Sequence, residues 1–293
     1  MKGKTVRGNW SFRTNKFTFP YVFLLCIFFF FAGFFGSTLF SHSQDGGHGL
    51  RPRSRFLEST EYNLMTAGDS GDDSITSIPF QVLSWKPRAL YFPNFATAEQ
   101  CEGIVDVAKA GLKPSALALR KGENEENTKG VRTSSGVFLS ASEDKTGILD
   151  VIEQKIARAT MIPRTHGEAF NILRYEIGQR YNSHYDAFNP AEYGPQKSQR
   201  MASFLLYLTN VEEGGETMFP FENGLNMDGS YEYEDCIGLK IRPRKGDGLL
   251  FYSLFPNGST IDPTSLHGSC PVIKGEKWVA TKWITNEEQA DYR

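Results

Sequence analysis

Three stretches of different pattern follow one another along the chain. From Phe19 to Phe40 runs an apolar segment of 22 residues without a single charge (FPYVFLLCIFFFFAGFFGSTLF). Wound as a helix it would measure about 33 Å, enough to cross the hydrocarbon core of a bilayer. Residues 41–78 lose all periodicity and turn to Ser, Gly and charge, the pattern of a flexible stem. From residue 79 the apolar positions return at regular intervals. Phe80–Trp85 and Ala89–Phe92 read as short strands, with Pro87 breaking the run between them. Thr97, with Gln100 three residues on, opens a helix through a capping box, and Cys101, Ile104, Val105 and Ala108 share one face. A second helix is expected from Glu143 to Thr160, with Leu149, Ile152, Ile156 and Ala159 turned inward and Pro163 beyond its end. Between the helices lies a polar loop, residues 121–130 (KGENEENTKG). Farther on, Phe170–Ile177, Met201–Leu208, Gly248–Ser253 and Lys277–Thr285 are apolar or alternating runs separated by turn signals such as Gly214-Gly215. Two helices followed by many short strands predict an α+β domain whose core is a β-sandwich or jelly roll.

Charge sharpens the first of these stretches. Lys2, Lys4, Arg7, Arg13 and Lys16 precede the apolar segment, and no acidic residue occurs before Asp45. That asymmetry keeps the N-terminus cytosolic and carries the rest across the membrane. A cleaved signal peptide is the competing reading, but its apolar core runs to about 7–15 residues, and this one is longer. The expected organisation is therefore a cytosolic tail (1–18), a transmembrane signal anchor (19–40), a lumenal stem (41–78) and one folded domain (79–293). His42 and His48 fall in the stem and read as solvated residues. The end of the chain carries no KDEL-type signal, so retention in the endoplasmic reticulum or Golgi would fall to the anchor.

Composition then looks different. The net charge of −2 over 293 residues excludes bulk polybasic binding of nucleic acid. It is also a cancellation: without the five N-terminal cations, 27 basic residues face 34 acidic ones, a net of −7. The mean hydropathy of −0.38 describes none of the three parts.

Three of the five His lie in the folded region: His166, His184 and His267. In His184-Tyr185-Asp186 the imidazole and carboxylate are two apart, and on an extended segment they share a face. A third ligand would complete a two-His, one-carboxylate set of the kind that holds non-haem Fe(II) with positions left open. Alone, the triplet reads more readily as a strand-end His beside a surface Asp. His267 follows the strand at 248–253, and Lys277 opens the last strand ten residues later. A Lys facing a barrel interior needs an anion; otherwise its head group snorkels to solvent. His166 has no such company and reads as a surface or packing residue.

Residues 79–286 resemble the catalytic domain of the plant and algal prolyl 4-hydroxylases, relatives of the collagen prolyl 4-hydroxylase catalytic subunit. The resemblance is carried by Ser84-Trp85-Lys86-Pro87-Arg88, by Arg132-Thr133-Ser134-Ser135-Gly136, and by Tyr175 to Tyr181 leading into His184-Tyr185-Asp186. It continues through Arg200, Tyr207-Leu208, Glu212 to Thr217, Phe219-Pro220 and Ser265 to Trp283. It implies a double-stranded β-helix (jelly-roll) core with Fe(II) held by His184, Asp186 and His267. Lys277 would bind the distal carboxylate of 2-oxoglutarate, helped by Tyr175 and Thr217. Tyr181, Arg200 and Trp283 match positions that line the peptide channel, and Arg132–Gly136 resembles a substrate-covering loop. Thr285 departs from the family, where many members carry a His. The implied reaction converts 2-oxoglutarate and O2 to succinate and CO2 while peptidyl proline becomes 4-hydroxyproline, with L-ascorbate rescuing oxidised iron. The implied substrates are proline-rich peptides or proteins of the secretory pathway or cell wall.

Two alternatives stand beside that reading: a 2-oxoglutarate oxygenase for another residue such as lysine, and a non-catalytic jelly-roll binding module. A pure binder needs neither a metal triad nor an anion anchor, so the His184, Asp186, His267 and Lys277 set argues against it. Cys26 lies in the anchor, leaving Cys101, Cys236 and Cys270 for an oxidising lumen. A Cys236–Cys270 bridge is expected because both flank the implied site; free buried thiols are the rival reading. Asn257-Gly258-Ser259 is a glycosylation sequon.

Overall fold

The computed structural model describes residues 23–31 and 78–289. Residues 23–31 form a helix, α1, within the apolar segment, with its side chains largely exposed. Among the described residues no helix is long and apolar enough to cross a membrane. The basic tail, the rest of the expected anchor and residues 41–77 of the expected stem lie outside the described residues.

From residue 78 the chain opens with a hairpin, β1 (Gln81–Trp85) and β2 (Arg88–Phe92), followed by α2 (Ala98–Lys109). Thr97 accepts from the Gln100 N–H and the Gln100 side chain accepts in return from the Thr97 N–H, forming the expected capping box. After β3 (Lys113–Pro114) and β4 (Ser135–Leu139) comes α3 (Ile148–Thr160). This helix starts later than the Glu143 expected from the pattern. Glu143 turns back to accept from Ser140, Asp144 accepts from the Leu149 N–H at 2.9 Å, and Gly147 stands at φ 74°. These polar side chains compete for the backbone and close a turn ahead of the helix.

The remaining elements are β5 (Phe170–Tyr175), β6 (Tyr181–His184), the short α4 (Pro190–Tyr193) and β7 (Arg200–Tyr207). Then come β8 (Glu213–Gly214), β9 (Thr217–Phe219), β10 (Leu239–Ile241) and β11 (Gly248–Tyr252). The last three are β12 (His267–Ser269), β13 (Val272–Lys274) and β14 (Lys277–Thr285). One sheet has eight strands in the order β1-β2-β11-β7-β14-β5-β4-β3; a second has four, β10-β9-β12-β6; β13 and β8 form a pair. The pairings are antiparallel. The fold is sheet-rich α+β, as expected.

The period of two along the central strands decides what each face carries. On β14, Trp278, Ala280 and Ile284 pack with Phe170 and Ile172 of β5 and Phe204 and Leu206 of β7 against the inner faces of α2 and α3. The alternate positions, Val279 of β14, Leu173 and Tyr175 of β5 and Leu205 and Tyr207 of β7, meet Phe219 and Ile241 of the four-stranded sheet. The long sheet is thus covered by helices on one side and by the short sheet on the other. Lys277, Thr281 and Trp283 have the same parity as Val279, and they open into the space between the sheets.

Candidate active site

His184 ends β6 and His267 begins β12, and the two are cross-strand partners in an antiparallel ladder. Asp186 follows two residues after His184 and is buried. His184 Nε2 stands 3.5 Å from Asp186 Oδ1, and His267 Nε2 stands 3.5 Å from Asp186 Oδ2. One ligand atom from each of the three lies within 4.8 Å of the others. Both rings have their second nitrogen committed. His184 Nδ1 meets the Asn182 carbonyl at 2.9 Å and His267 Nδ1 meets the Ser265 carbonyl at 3.0 Å. A carbonyl only accepts, so each Nδ1 carries a proton and each Nε2 faces Asp186.

Burial and neighbouring charge act on both His267 and Asp186. Burial pushes His267 down to about 4, against the pull of Asp186. Burial works to raise the Asp186 carboxyl, but the neighbouring His267, His184 and Arg200 side chains hold it well below the usual carboxylate range. Ser203 on β7 donates to Asp186 Oδ2 at 2.5 Å. Tyr181 stacks on His184 with ring centroids 3.7 Å apart, and Phe251 packs 4.4 Å from His267. Two imidazoles and one carboxylate, oriented by neighbouring acceptors and a donor, suit a divalent first-row metal with open positions.

Lys277 opens β14 opposite Tyr175 of β5. It is only 1% exposed, so its head group does not reach solvent. Its Nζ donates to Ser269 Oγ at 2.8 Å and lies 5.3 Å from the Tyr175 ring centroid. Burial pushes the ammonium down to about 7, with the Glu216 carboxylate opposing. A cavity of about 40 Å³ brings Lys277, Tyr175, Thr217 and Ser269 together with His184, Asp186 and His267. Thr217 Oγ1 accepts from the Tyr207 hydroxyl at 2.9 Å, which leaves its own proton to donate. A buried cation and hydroxyl donors beside a metal-ligand set form a receptor for a small anion that also reaches the metal.

A larger groove of about 450 Å³ adjoins this cavity and shares Arg132, Tyr181, His184, Asp186 and Trp283 with it. Arg200 stacks 3.6 Å over the Trp283 ring while both Glu168 carboxylate oxygens hold its guanidinium, at 2.6 and 2.7 Å. Arg132 lies 4.7 Å over the Tyr181 ring and donates to Ser134 Oγ and the Ala116 carbonyl. The Arg132–Gly136 stretch expected as a covering loop is in part a strand. Ser135 and Gly136 already belong to β4, paired with Arg174 and Leu173 of β5, whereas residues 116–132 form a strap along the groove. Arg120 ties that strap to α4 through Glu192 at 3.0 Å and the Tyr193 hydroxyl at 3.3 Å.

Four contributors escaped the sequence reading: Ser203, Ser269, Glu168 and Asn182. None has a motif of its own; strand pairing brings Ser203, Ser269 and Asn182 to the site, and Glu168 is held there by its N–H to the Trp283 carbonyl and its contact with Arg200. The other singled-out residues fall elsewhere. His166 bonds the Thr285 carbonyl through Nδ1 at 2.9 Å and takes no part in the ligand set. Cys236 and Cys270 are joined in a disulfide next to Ser269, and Cys101 is a buried free thiol. Asn257 sits in an exposed turn, its Oδ1 accepting from the Ser259 and Thr260 N–H groups at 3.1 Å.

The model of the 2OG-Fe(II) oxygenase superfamily matches residues 170–285, the span that contains the three ligands and Lys277. Probable prolyl 4-hydroxylase 9 of Arabidopsis thaliana is 66% identical over 286 residues, 96% of this chain and 98% of the relative. Prolyl 4-hydroxylase 13 of the same plant is 55% identical over 276 residues, 94% of this chain and 97% of the relative. Among solved structures, a viral collagen prolyl hydroxylase from Paramecium Bursaria Chlorella virus-1 aligns with a TM-score of 0.49 at 26% identity, covering 67% of this chain and 95% of that one.

Proposed function

The chain belongs to the prolyl 4-hydroxylases of the 2OG-Fe(II) oxygenase superfamily, and on that premise we propose how its residues do the work. It hydroxylates peptidyl proline to 4-hydroxyproline, coupled to conversion of 2-oxoglutarate to succinate and CO2. His184, Asp186 and His267 would hold the iron, and the chemistry of this donor set fits Fe(II). When bound, iron with 2-oxoglutarate and O2 supplies the oxidising power for the C4–H bond of proline. The Nδ1–H groups of both His donate to backbone carbonyls, so the rings keep one orientation through turnover. Lys277 neutralises the distal carboxylate of 2-oxoglutarate, with the Tyr175 and Thr217 hydroxyls as further donors. The aromatic walls exclude water from the reacting centre.

On the substrate side, Tyr181, Arg200, Trp283 and Arg132 line the groove in which a proline-rich segment would lie. An aromatic-walled groove suits the extended, preformed conformation of such segments. The two sheets correspond in this reading to a double-stranded β-helix. We assign the uncharged run 19–40, with its basic flank, as a type II anchor that places the domain in the lumen of the endoplasmic reticulum or Golgi. There Asn257 would accept a glycan, and ascorbate would restore oxidised iron.

The observation that carries the assignment is the burial of Lys277 in one cavity with the His184, Asp186 and His267 set. The test is the purified full chain in detergent, given iron(II), 2-oxoglutarate, ascorbate and proline-rich peptides. Succinate release matched by one added oxygen on proline is the expected result; iron binding with neither product would reject the assignment.

A further inference from the structure

The groove wall contains an acceptor for which the protein supplies no partner. Asn182 lies on β6 two residues before His184, lines the groove, and is 9% exposed. Its Oδ1 is sealed from water and receives no hydrogen bond. Among the described residues only three buried side-chain atoms are in this condition, and two of them, Asn182 Oδ1 and Trp283 Nε1, belong to residues of this groove. Buried polar atoms without partners are rare because they lose their hydration for nothing.

Turning the amide over would break the one contact it makes. Asn182 Nδ2 donates to Glu234 Oε1 at 3.4 Å, and Glu234 Oε2 is paired with Arg180 Nη2 at 2.8 Å. An ionised carboxylate only accepts, so a flipped amide would set oxygen against oxygen. The backbone of Asn182 is committed as well: its N–H donates to the Val131 carbonyl at 2.9 Å, and its own carbonyl holds His184 Nδ1. A donor for Oδ1 has to come from outside the protein.

The two orphaned atoms differ in what they accept from a peptide. Trp283 offers an N–H, which any backbone carbonyl satisfies. Asn182 offers an oxygen, and proline has no N–H to meet it. Resting on the prolyl hydroxylase reading, we propose that Asn182 is a specificity-determining residue. It favours peptides in which a residue flanking the target proline brings a hydrogen-bond donor, a side-chain hydroxyl or a backbone N–H. An uninterrupted proline run leaves Oδ1 unsatisfied, and a flanking donor satisfies it. The strap meets β6 at this point through Val131 and Arg132, so the donor arrives as the strap yields. The strap's ties to α4 through Arg120 and Glu192 are part-exposed and of the kind that gives way readily.

The experiment compares kcat/KM of the full chain on peptides with one target proline and a serine on either flank. In each, the serine is replaced in turn by O-methylserine, which removes the hydroxyl donor, or by N-methylserine, which removes the N–H. The two replacements distinguish the sources of the donor. At one flank, one methylation is expected to lower kcat/KM by about tenfold, mainly through KM, the scale of one unmade bond to a buried acceptor. In Asn182→Leu that difference disappears, whereas a merely structural defect would lower all peptides alike. Glu234→Gln, an exposed substitution, frees the amide to turn and shrinks the same difference, so the test survives if Asn182→Leu misfolds. Equal rates on all peptides by the unaltered chain, or a difference undiminished in either variant, would overturn the proposal. Failure to hydroxylate any peptide, with iron and 2-oxoglutarate present, would instead remove the hydroxylase reading beneath it.

Discussion

His184 and His267 face each other across an antiparallel pair, and each donates a hydrogen bond from Nδ1–H to the carbonyl two residues earlier in its own segment, Asn182 for one and Ser265 for the other. The two rings are oriented by the same local device on two strands far apart in sequence. Asp186 sits between their Nε2 atoms, and its free choice of orientation is removed by Ser203.

The Ser203 bond therefore matters for metal affinity. Ser203→Ala is expected to weaken iron(II) binding by about 10- to 100-fold, the usual effect of losing an outer partner of a metal ligand. Anaerobic titration with iron(II) reads this directly. Affinity within a factor of two of the unaltered chain would show that Asp186 is positioned by other means.

Lys277 makes 2-oxoglutarate binding proton-linked. Burial pushes its ammonium down to about 7, so at pH 8 to 9 the side chain is largely neutral, and a carboxylate placed against it draws a proton in. Calorimetry in buffers of differing ionisation enthalpy should register that uptake, and Lys277→Met should abolish it while weakening 2-oxoglutarate by about 10- to 100-fold. The same depression affects stability. The unfolded chain holds more protons on this residue between pH 7 and the ordinary Lys range, so its contribution rises with pH across that window. The stability of the unaltered chain relative to Lys277→Met should climb from pH 7 to 10 and stay level below 7.

Arg200 is expected to act on the peptide and not on the cosubstrate. It combines a two-pronged carboxylate contact with stacking on Trp283, and Lys reproduces neither. Arg200→Lys should raise KM for peptide about tenfold while the Kd for 2-oxoglutarate stays put. An equal change in both would place Arg200 in the cosubstrate site.

On the opposite side of the long sheet, Glu153 of α3 and Lys282 of β14 form a buried ion pair, with Arg164 on the second carboxylate oxygen. Removing one partner strands a charge in the interior. Glu153→Ala should cost about 3–5 kcal/mol in urea unfolding, whereas Glu153→Leu with Lys282→Met should recover most of it. A single substitution costing under 1 kcal/mol would mean that water reaches the site.

The parts of this site that were legible in the sequence are those set by local spacing. His184 and Asp186 are two apart on an extended segment, and the Thr97 capping box and the alternation along β14 follow from neighbours within a few residues. His267 could be named from its company, but only the β6–β12 pairing brings it to Asp186. Ser203, Ser269 and Asn182 were illegible because Ser and Asn are ordinary at strand positions and their partners come from other strands. Lys277 shows the same limit. Spacing left open whether it reached water or faced inward, and the covering provided by the short sheet decided it. The start of α3 was misplaced for a local reason, since Glu143 and Asp144 satisfy backbone groups that a longer helix would have used.

β14 behaves like a text with a reading frame. Its letters at 277, 279, 281 and 283 spell chemistry, and those at 278, 280, 282 and 284 spell attachment to the helices. Substitutions in one set can drift while the other stays intact, so catalytic specificity and scaffold stability are separately adjustable along a single strand. A one-residue deletion inside it has no such latitude. It would turn Lys282 toward the groove and send Trp283 into the helical layer, and both messages would be lost at once.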